Sequence, residues 1–175
     1  MKTPKIWAFL PFRLFIGLFA MFAFGMWGNR VSKETSPLIG QPAPTLQIFT
    51  IDNQIMDLGK YRGRPIIVNF FASWCAPCRA EHPSLLQIGH DESVVLIGIA
   101  YRDNPTNNRN YIEQLGNPFA QIGLDLQGAA GASFGLSGVP ETYIIDKAGI
   151  IIYKHKGEIT AGDVPKLIRI AVRGQ

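Results

Sequence analysis

Cysteine is scarce in this chain: two in 175 residues, Cys75 and Cys78, which excludes a disulfide-framework protein and a four-thiolate zinc site together. Histidine is hardly commoner. His82, His90 and His155 form no H-x3–5-H pair, so the partner half of a zinc site is missing. Charge is thin too, at 17% Asp, Glu, Lys and Arg, and the formal excess of +4 is unevenly placed. Lys2, Lys5 and Arg13 lie in the first 28 residues and leave 14 basic against 13 acidic residues behind them. That balance supplies no phosphate-binding face, so no nucleic-acid partner is expected. Internal repeats and low-complexity tracts are absent as well.

What the chain has in quantity is apolar residues, 47% of the total, concentrated at the front. From Ile6 to Trp27 only Arg13 is charged, and at about 1.5 Å per residue this run is long enough to cross a hydrocarbon core of roughly 30 Å. The basic residues sit on its N-terminal side, which directs the N-terminus to the cytoplasm and everything after Gly28 outside it. The alternative is a cleaved signal peptide. Against it, the small residues near Ala20 to Ala23 are spaced A-x-x-A, with Phe22, Met26 and Trp27 crowding any cleavage site.

The expected organisation is therefore a transmembrane anchor over residues 1–28, a linker over 29–40 and one domain over 41–175. Polar and then proline-rich residues 29–44 read as a tether. Thr45–Thr50 and Gln54–Met56 are expected to pair as a hairpin across Asp52-Asn53. Pro65–Ala72 and Ser93–Tyr101 read as strands buried on both faces, joined in parallel by a helix over Cys75–Ile88. A helix over Thr106–Leu115, a strand over Phe119–Leu124 and a weak helix over Gln127–Phe134 follow. Glu141–Asp146 and Ile150–Lys156 make a hairpin across Lys147-Ala148-Gly149, and a helix over Val164–Val172 closes the chain. The fold class is α/β, with a central mixed sheet flanked by helices.

Three chemistries fit a C-x-x-C pair. A structural disulfide across three positions closes so short a loop that it constrains little of the unfolded chain. A metal site lacks ligands, so neither a metal nor another cofactor is expected. A redox pair suits the location: Cys75, just past a buried strand, opens a helix whose first N–H groups lack partners, and a thiolate there is favoured by those donors and by the helix dipole. Cys78, one turn in and less exposed, can attack a mixed disulfide and release the partner. Pro77 costs nothing in the first turn.

Phe-Phe-Ala-Ser-Trp-Cys-Ala-Pro-Cys-Arg, with Pro83 five positions on, and Gly138-Val139-Pro140-Glu141-Thr142 before a strand resemble the thioredoxin superfamily. W-C-x-x-C-R-A-E-H-P together with G-V-P-E-T-Y-x-x-D is similar to the membrane-anchored thioredoxins of bacterial cytochrome c maturation, the DsbE/CcmG family, from about Gly40 to the C-terminus. The resemblance implies a thioredoxin-like fold and a periplasmic reductant held in the inner membrane. Its client would be the haem-attachment disulfide of apocytochrome c, reached directly or through a partner thiol protein, and a membrane thiol-electron transporter would re-reduce it. It further implies a cis-proline at Pro140, beside which the Val139 backbone and Trp74 receive a partner peptide.

The chain departs from thioredoxin at Asn69, where the latter carries a titrating aspartate. Glu81, three residues beyond Cys78 on the same helical face, is the natural replacement, and the resemblance implies that Glu141, beside Pro140, is a second carboxylate near the active site; either would exchange a proton with Cys78. Tyr101 and Asp103 are expected to line the same face, and His82 to be a hydrogen-bonded helical residue. Nearby carboxylates and the uncharged Ala76-Pro77 dipeptide both favour a reductant over an oxidant. Two other functions fit the same residues: a broader periplasmic oxidoreductase, and a module that binds apocytochrome without turnover.

Overall fold

The computed structural model describes residues 36–174, so the expected anchor and the first part of the tether lie outside the described residues. Among the described residues no helix is long and apolar enough to cross a membrane.

Six strands form one mixed sheet in the order β1-β4-β3-β2-β5-β6. In chain order they are β1 (Phe49–Thr50), β2 (Ile66–Phe71), β3 (Val95–Tyr101), β4 (Gln121–Asp125), β5 (Glu141–Ile145) and β6 (Ile151–Lys156). Helices α1 (Ala76–Gly89), α2 (Pro105–Leu115), α3 (Ala129–Ser133) and α4 (Val164–Arg173) alternate with them. β2 lies at the centre, parallel to β3 from Ile66↔Val95 to Phe71↔Ala100 and antiparallel to β5 from Ile66↔Ile145 to Phe70↔Glu141. Every residue of β2 is buried, because it has a strand on each side and a packed layer on each face.

Alternation along the strands divides the interior in two. Ile67, Phe71, Leu96, Ala100 and Ile144 face a layer containing Cys78, Leu85 and Ile88 of α1, Tyr111 of α2 and Leu167 of α4. Val68, Phe70, Ile97, Ile99, Tyr143 and Ile145 face Phe134, Ala130 and the N-terminal residues Leu46 and Met56. Gly98 marks a close approach: a Cβ there would lie 2.9 Å from Phe71 Cε1 and Phe119 Cγ, whose rings stack 4.9 Å apart. Only glycine leaves room for that pair.

The tether reading of 29–44 needs correcting. Leu38 packs against the second core layer, Gly40 N–H bonds to Ile151 O at 2.7 Å and Ile151 N–H returns to Gln41 O at 2.9 Å, so the folded unit begins before residue 41. Prolines at 42 and 44 did not signal a free linker; the chain between them edges the β6 side of the sheet. The expected N-terminal hairpin is shorter than its hydrophobic pattern. Phe49 bridges Ile55 and Thr50 N–H bonds to Gln54 O across a turn with Asn53 at φ 61, while Phe49–Thr50 pairs with β4 on its other side. The weak helix contracts to α3, and β4 starts at Gln121.

Candidate active site

β2 delivers the chain to the start of α1, where Cys75 is the N-cap at φ −92 and ψ 111. Its sulfur accepts the N–H of Cys78 at 3.2 Å and satisfies one of the orphan donors of the first turn. Cys75 and Cys78 are joined in a disulfide with Cα atoms 5.3 Å apart. Cys78 is fully buried and Cys75 is 5% exposed, so the sulfur at the rim is that of Cys75.

The loop before the pair is braced from β3. Asp103 accepts the Ser73 N–H at 2.7 Å and the Ser73 hydroxyl at 2.8 Å, and Asn108 of α2 donates to the same carboxylate at 3.3 Å. Trp74 is 62% exposed, with its indole N–H 3.3 Å from Arg102 O, so it fills no core space. Beside it a hollow of about 470 Å³ is lined by Ser73, Trp74, Cys75, Ala76, Arg79 and Ala80.

Opposite stands the loop before β5. The Val139–Pro140 peptide bond is cis, and Val139 O lies 3.7 Å from Cys75 Sγ. In the disulfide that sulfur has no proton to give; as a thiol it can donate to the carbonyl. Pro140 O accepts Gly157 N–H at 3.0 Å, whereas Val139 N–H has no backbone partner among the described residues.

Glu81 is completely buried under Cys78's turn of α1. Its carboxylate accepts from Asn69 Nδ2 at 2.9 Å and from Ile159 N–H at 2.9 Å, and Asn69 Nδ2 also donates to Thr142 Oγ1 at 3.0 Å. Burial is the dominant influence and pushes the Glu81 carboxyl up to about 7; the bonds from Asn69 and Ile159 oppose it, and Glu158 adds to it. Asn69, which cannot titrate, is thus wired to the carboxylate on the neighbouring helix.

Glu141 is placed differently from the expectation. It is the register partner of Phe70, and β5 sends Thr142 and Ile144 toward α1 while Glu141 and Tyr143 go to the opposite face. There the carboxylate meets Lys154 Nζ at 2.9 Å, Tyr143 O–H at 3.1 Å and the hydroxyl and N–H of Ser137. Proximity in sequence to Pro140 suggested a second proton partner for Cys78; strand alternation carries it to the other side of the sheet.

Sequence reasoning missed two further groups, Tyr111 and Lys154, while His82 is the hydrogen-bonded helical residue expected of it. Tyr111 donates from its hydroxyl to Cys78 O at 3.1 Å, across 33 residues. His82, buried, sits 3.1 Å from that hydroxyl through Nδ1 and donates from Nε2 to Gly116 O at 3.0 Å, and burial lowers its pKa. Lys154 could have been found from the hairpin register, which pairs it with Tyr143, one diagonal step from Glu141.

Comparison with known proteins agrees with this geometry. The Redoxin family matches residues 38–169. The thiol:disulfide interchange protein HelX of Rhodobacter capsulatus is 32% identical over 162 residues, spanning 91% of this chain and 92% of that one. DsbE of Escherichia coli K12, a thiol:disulfide interchange protein, is 34% identical over 139 residues, spanning 75% of this chain and 72% of its own. Among solved structures, a thioredoxin-family thiol:disulfide interchange protein from Chlorobium tepidum superposes with a TM-score of 0.66 at 24% identity, covering 79% of this chain and 99% of that one, which shows the thioredoxin-like fold. At this identity and coverage the chain belongs to the Redoxin family, among the DsbE-type thiol:disulfide interchange proteins, and it is a thiol-disulfide oxidoreductase.

Proposed function

We propose that the protein is a periplasmic reductant for c-type cytochrome assembly, held at the inner membrane by residues 1–28 with its N-terminus in the cytoplasm. Its client is the haem-attachment disulfide of apocytochrome c, taken directly or through a partner thiol protein, and its electrons come from a membrane thiol transporter. Cys75 and Cys78 are the reacting pair. The observation that carries the assignment is their asymmetry: one sulfur at the rim beside the loop of Val139 and Pro140, the other sealed in the interior one helical turn from a buried carboxyl poised near neutrality.

In the reduced protein the Cys75 thiolate attacks one sulfur of the client disulfide. An S–S bond forms between protein and client, and the client's other sulfur leaves as a thiolate that takes a proton from water. Cys78 then gives its proton to the Glu81 carboxylate and attacks Cys75 Sγ, restoring the protein's disulfide and releasing the second client thiol. Two electrons pass from the protein to the client, and the thiol transporter returns two. A thiolate at a fully buried position is costly, so the proton needs a carrier inside the protein, and Glu81 is one turn along the same helical face. During the mixed disulfide the client strand lies along Val139 and Pro140, with Trp74 as an apolar contact.

Replacing Cys78 with Ala should arrest the reaction at the mixed disulfide. In membranes of a cytochrome c-producing host, the covalent partner captured through Cys75 should be an apocytochrome or a cytochrome-assembly thiol protein. Capture of a broad set of unrelated periplasmic proteins in their place would overturn the assignment to cytochrome assembly.

A further inference from the structure

Glu141 is a buried carboxylate beside the cis-proline loop that the exchange reaction does not use. It is 2% exposed, and the side chain of its ion-pair partner Lys154 is 5% exposed. Taking two such charges out of water costs more than burying a pair of apolar side chains would, so stability alone does not account for the pair. What it holds is the segment entering the cis-proline loop. The carboxylate accepts both the N–H and the hydroxyl of Ser137, three residues before Pro140. Lys154 Nζ, besides pairing with Glu141, donates to Gly135 O at 3.2 Å, and Tyr143 O–H lies 2.9 Å from Phe134 O and 3.1 Å from Glu141. Phe134, Gly135 and Ser137 are therefore fastened to the β5–β6 hairpin by Tyr143, Lys154 and Glu141, the first two converging on the carboxylate of the third. On the far side of the loop, Gly157 N–H fixes Pro140 O. Only Gly138 and Val139 lie between the two anchorages.

We propose that Glu141 and Lys154 form a buried ionic strut that holds the 137–140 loop and sets the Val139 backbone at the height an incoming strand needs over Cys75. Glu141 is then a positioning residue for partner binding. It carries no proton for Cys78, from which the strand alternation separates it. The client is the one assumed above, so the proposal rests on the reductase reading for its substrate, but it concerns binding rather than chemistry.

The test uses the double variant Glu141→Leu, Lys154→Met, which removes both charges at similar volume and leaves neither buried alone. Ser137→Ala, which removes only the hydroxyl contact, is the mild companion. The readouts are KM and kcat for reduction of a disulfide-bonded C-x-x-C peptide by the pre-reduced protein, the pH profile of kcat, and amide hydrogen exchange at Gly138 and Val139. The double variant should raise KM about tenfold, with kcat within about twofold and an unshifted pH profile, because an interaction made equally in ground and transition states has been lost. Exchange at Gly138 and Val139 should quicken by about tenfold or more as the loop opens locally. Ser137→Ala should raise KM by about threefold. If the double variant does not fold, Ser137→Ala carries the same decision. Wild-type KM and wild-type exchange in a folded variant would overturn the strut, and a shifted kcat profile would return Glu141 to proton transfer. If the wild-type protein does not reduce the peptide, the reductase reading fails instead, and amide exchange still decides the strut.

Discussion

Replacing Glu81 with Gln should flatten the dependence of stability on pH between about 4.5 and 7. In the unfolded chain this carboxyl titrates at its ordinary 4.5, and in the fold burial carries it to about 7. The folded state therefore binds the proton more tightly. Stability from this group is fully present below about 4.5, falls as pH climbs through the window and levels off above about 7. At ~1.4 kcal/mol per pK unit the loss across the window is ~3 kcal/mol, a large share of the ~5–15 kcal/mol that holds a typical domain together. The amide can be accommodated. Its oxygen can accept the Ile159 N–H, and its NH₂ can donate to Asn69 once that amide turns over, bringing forward an Oδ1 that has no partner in the native protein. Thr142 Oγ1 then donates to the same oxygen. Urea unfolding of the oxidised protein from about pH 5 to about pH 8 measures the effect in both forms, with midpoints converted to free energy by linear extrapolation. His82, whose lowered pKa acts in the opposite direction and costs stability as pH falls below its ordinary 6.5, is common to both proteins and cancels in the difference. Wild-type and variant curves that run parallel within ~0.5 kcal/mol would refute the argument that this buried carboxyl carries a strained charge at neutral pH.

Removing the brace from the active-site loop, by Asp103→Ala, strands the Ser73 N–H and hydroxyl and should cost ~1–3 kcal/mol in urea unfolding, with slower reduction of a peptide disulfide. Unchanged stability would mean that water replaces the carboxylate without loss. Trp74→Ala, at a side chain 62% exposed, should leave stability within ~0.5 kcal/mol while raising KM for a peptide client; an equal KM would remove Trp74 from the docking surface.

Much of this architecture could be read from local pattern. The continuous apolar runs at 65–72 and 93–101 mark central strands because burial on both faces erases alternation, and β2 and β3 lie inside them. The hairpin at 141–156 follows from two β-rich runs around a short turn in which Gly149 has φ 88. Cys75 at the head of α1 and Glu81 on the face of Cys78 follow from helical spacing alone. What escaped detection is long-range and directional. Ile159 reaches Glu81 from 78 residues away through a backbone N–H, which every residue but proline carries and which therefore leaves no mark in the sequence. Tyr111 reads as an ordinary helical aromatic until α2 brings its hydroxyl to Cys78 O. Glu141 was misplaced for a different reason: nearness to Pro140 in sequence says nothing about which face of β5 a side chain occupies. Its parity with Tyr143, and the opposite parity of Thr142 with the Asn69 layer, decides that.

The seal over Cys78 has a kinetic corollary. Because a single sulfur meets the outside, client and electron donor must dock on the same atom, and neither can be bound while the other is joined to it. Turnover is then strictly alternating, a ping-pong cycle in which the client reacts with the reduced form and the donor with the oxidised form. In such a shuttle the departure of one visitor must precede the arrival of the next.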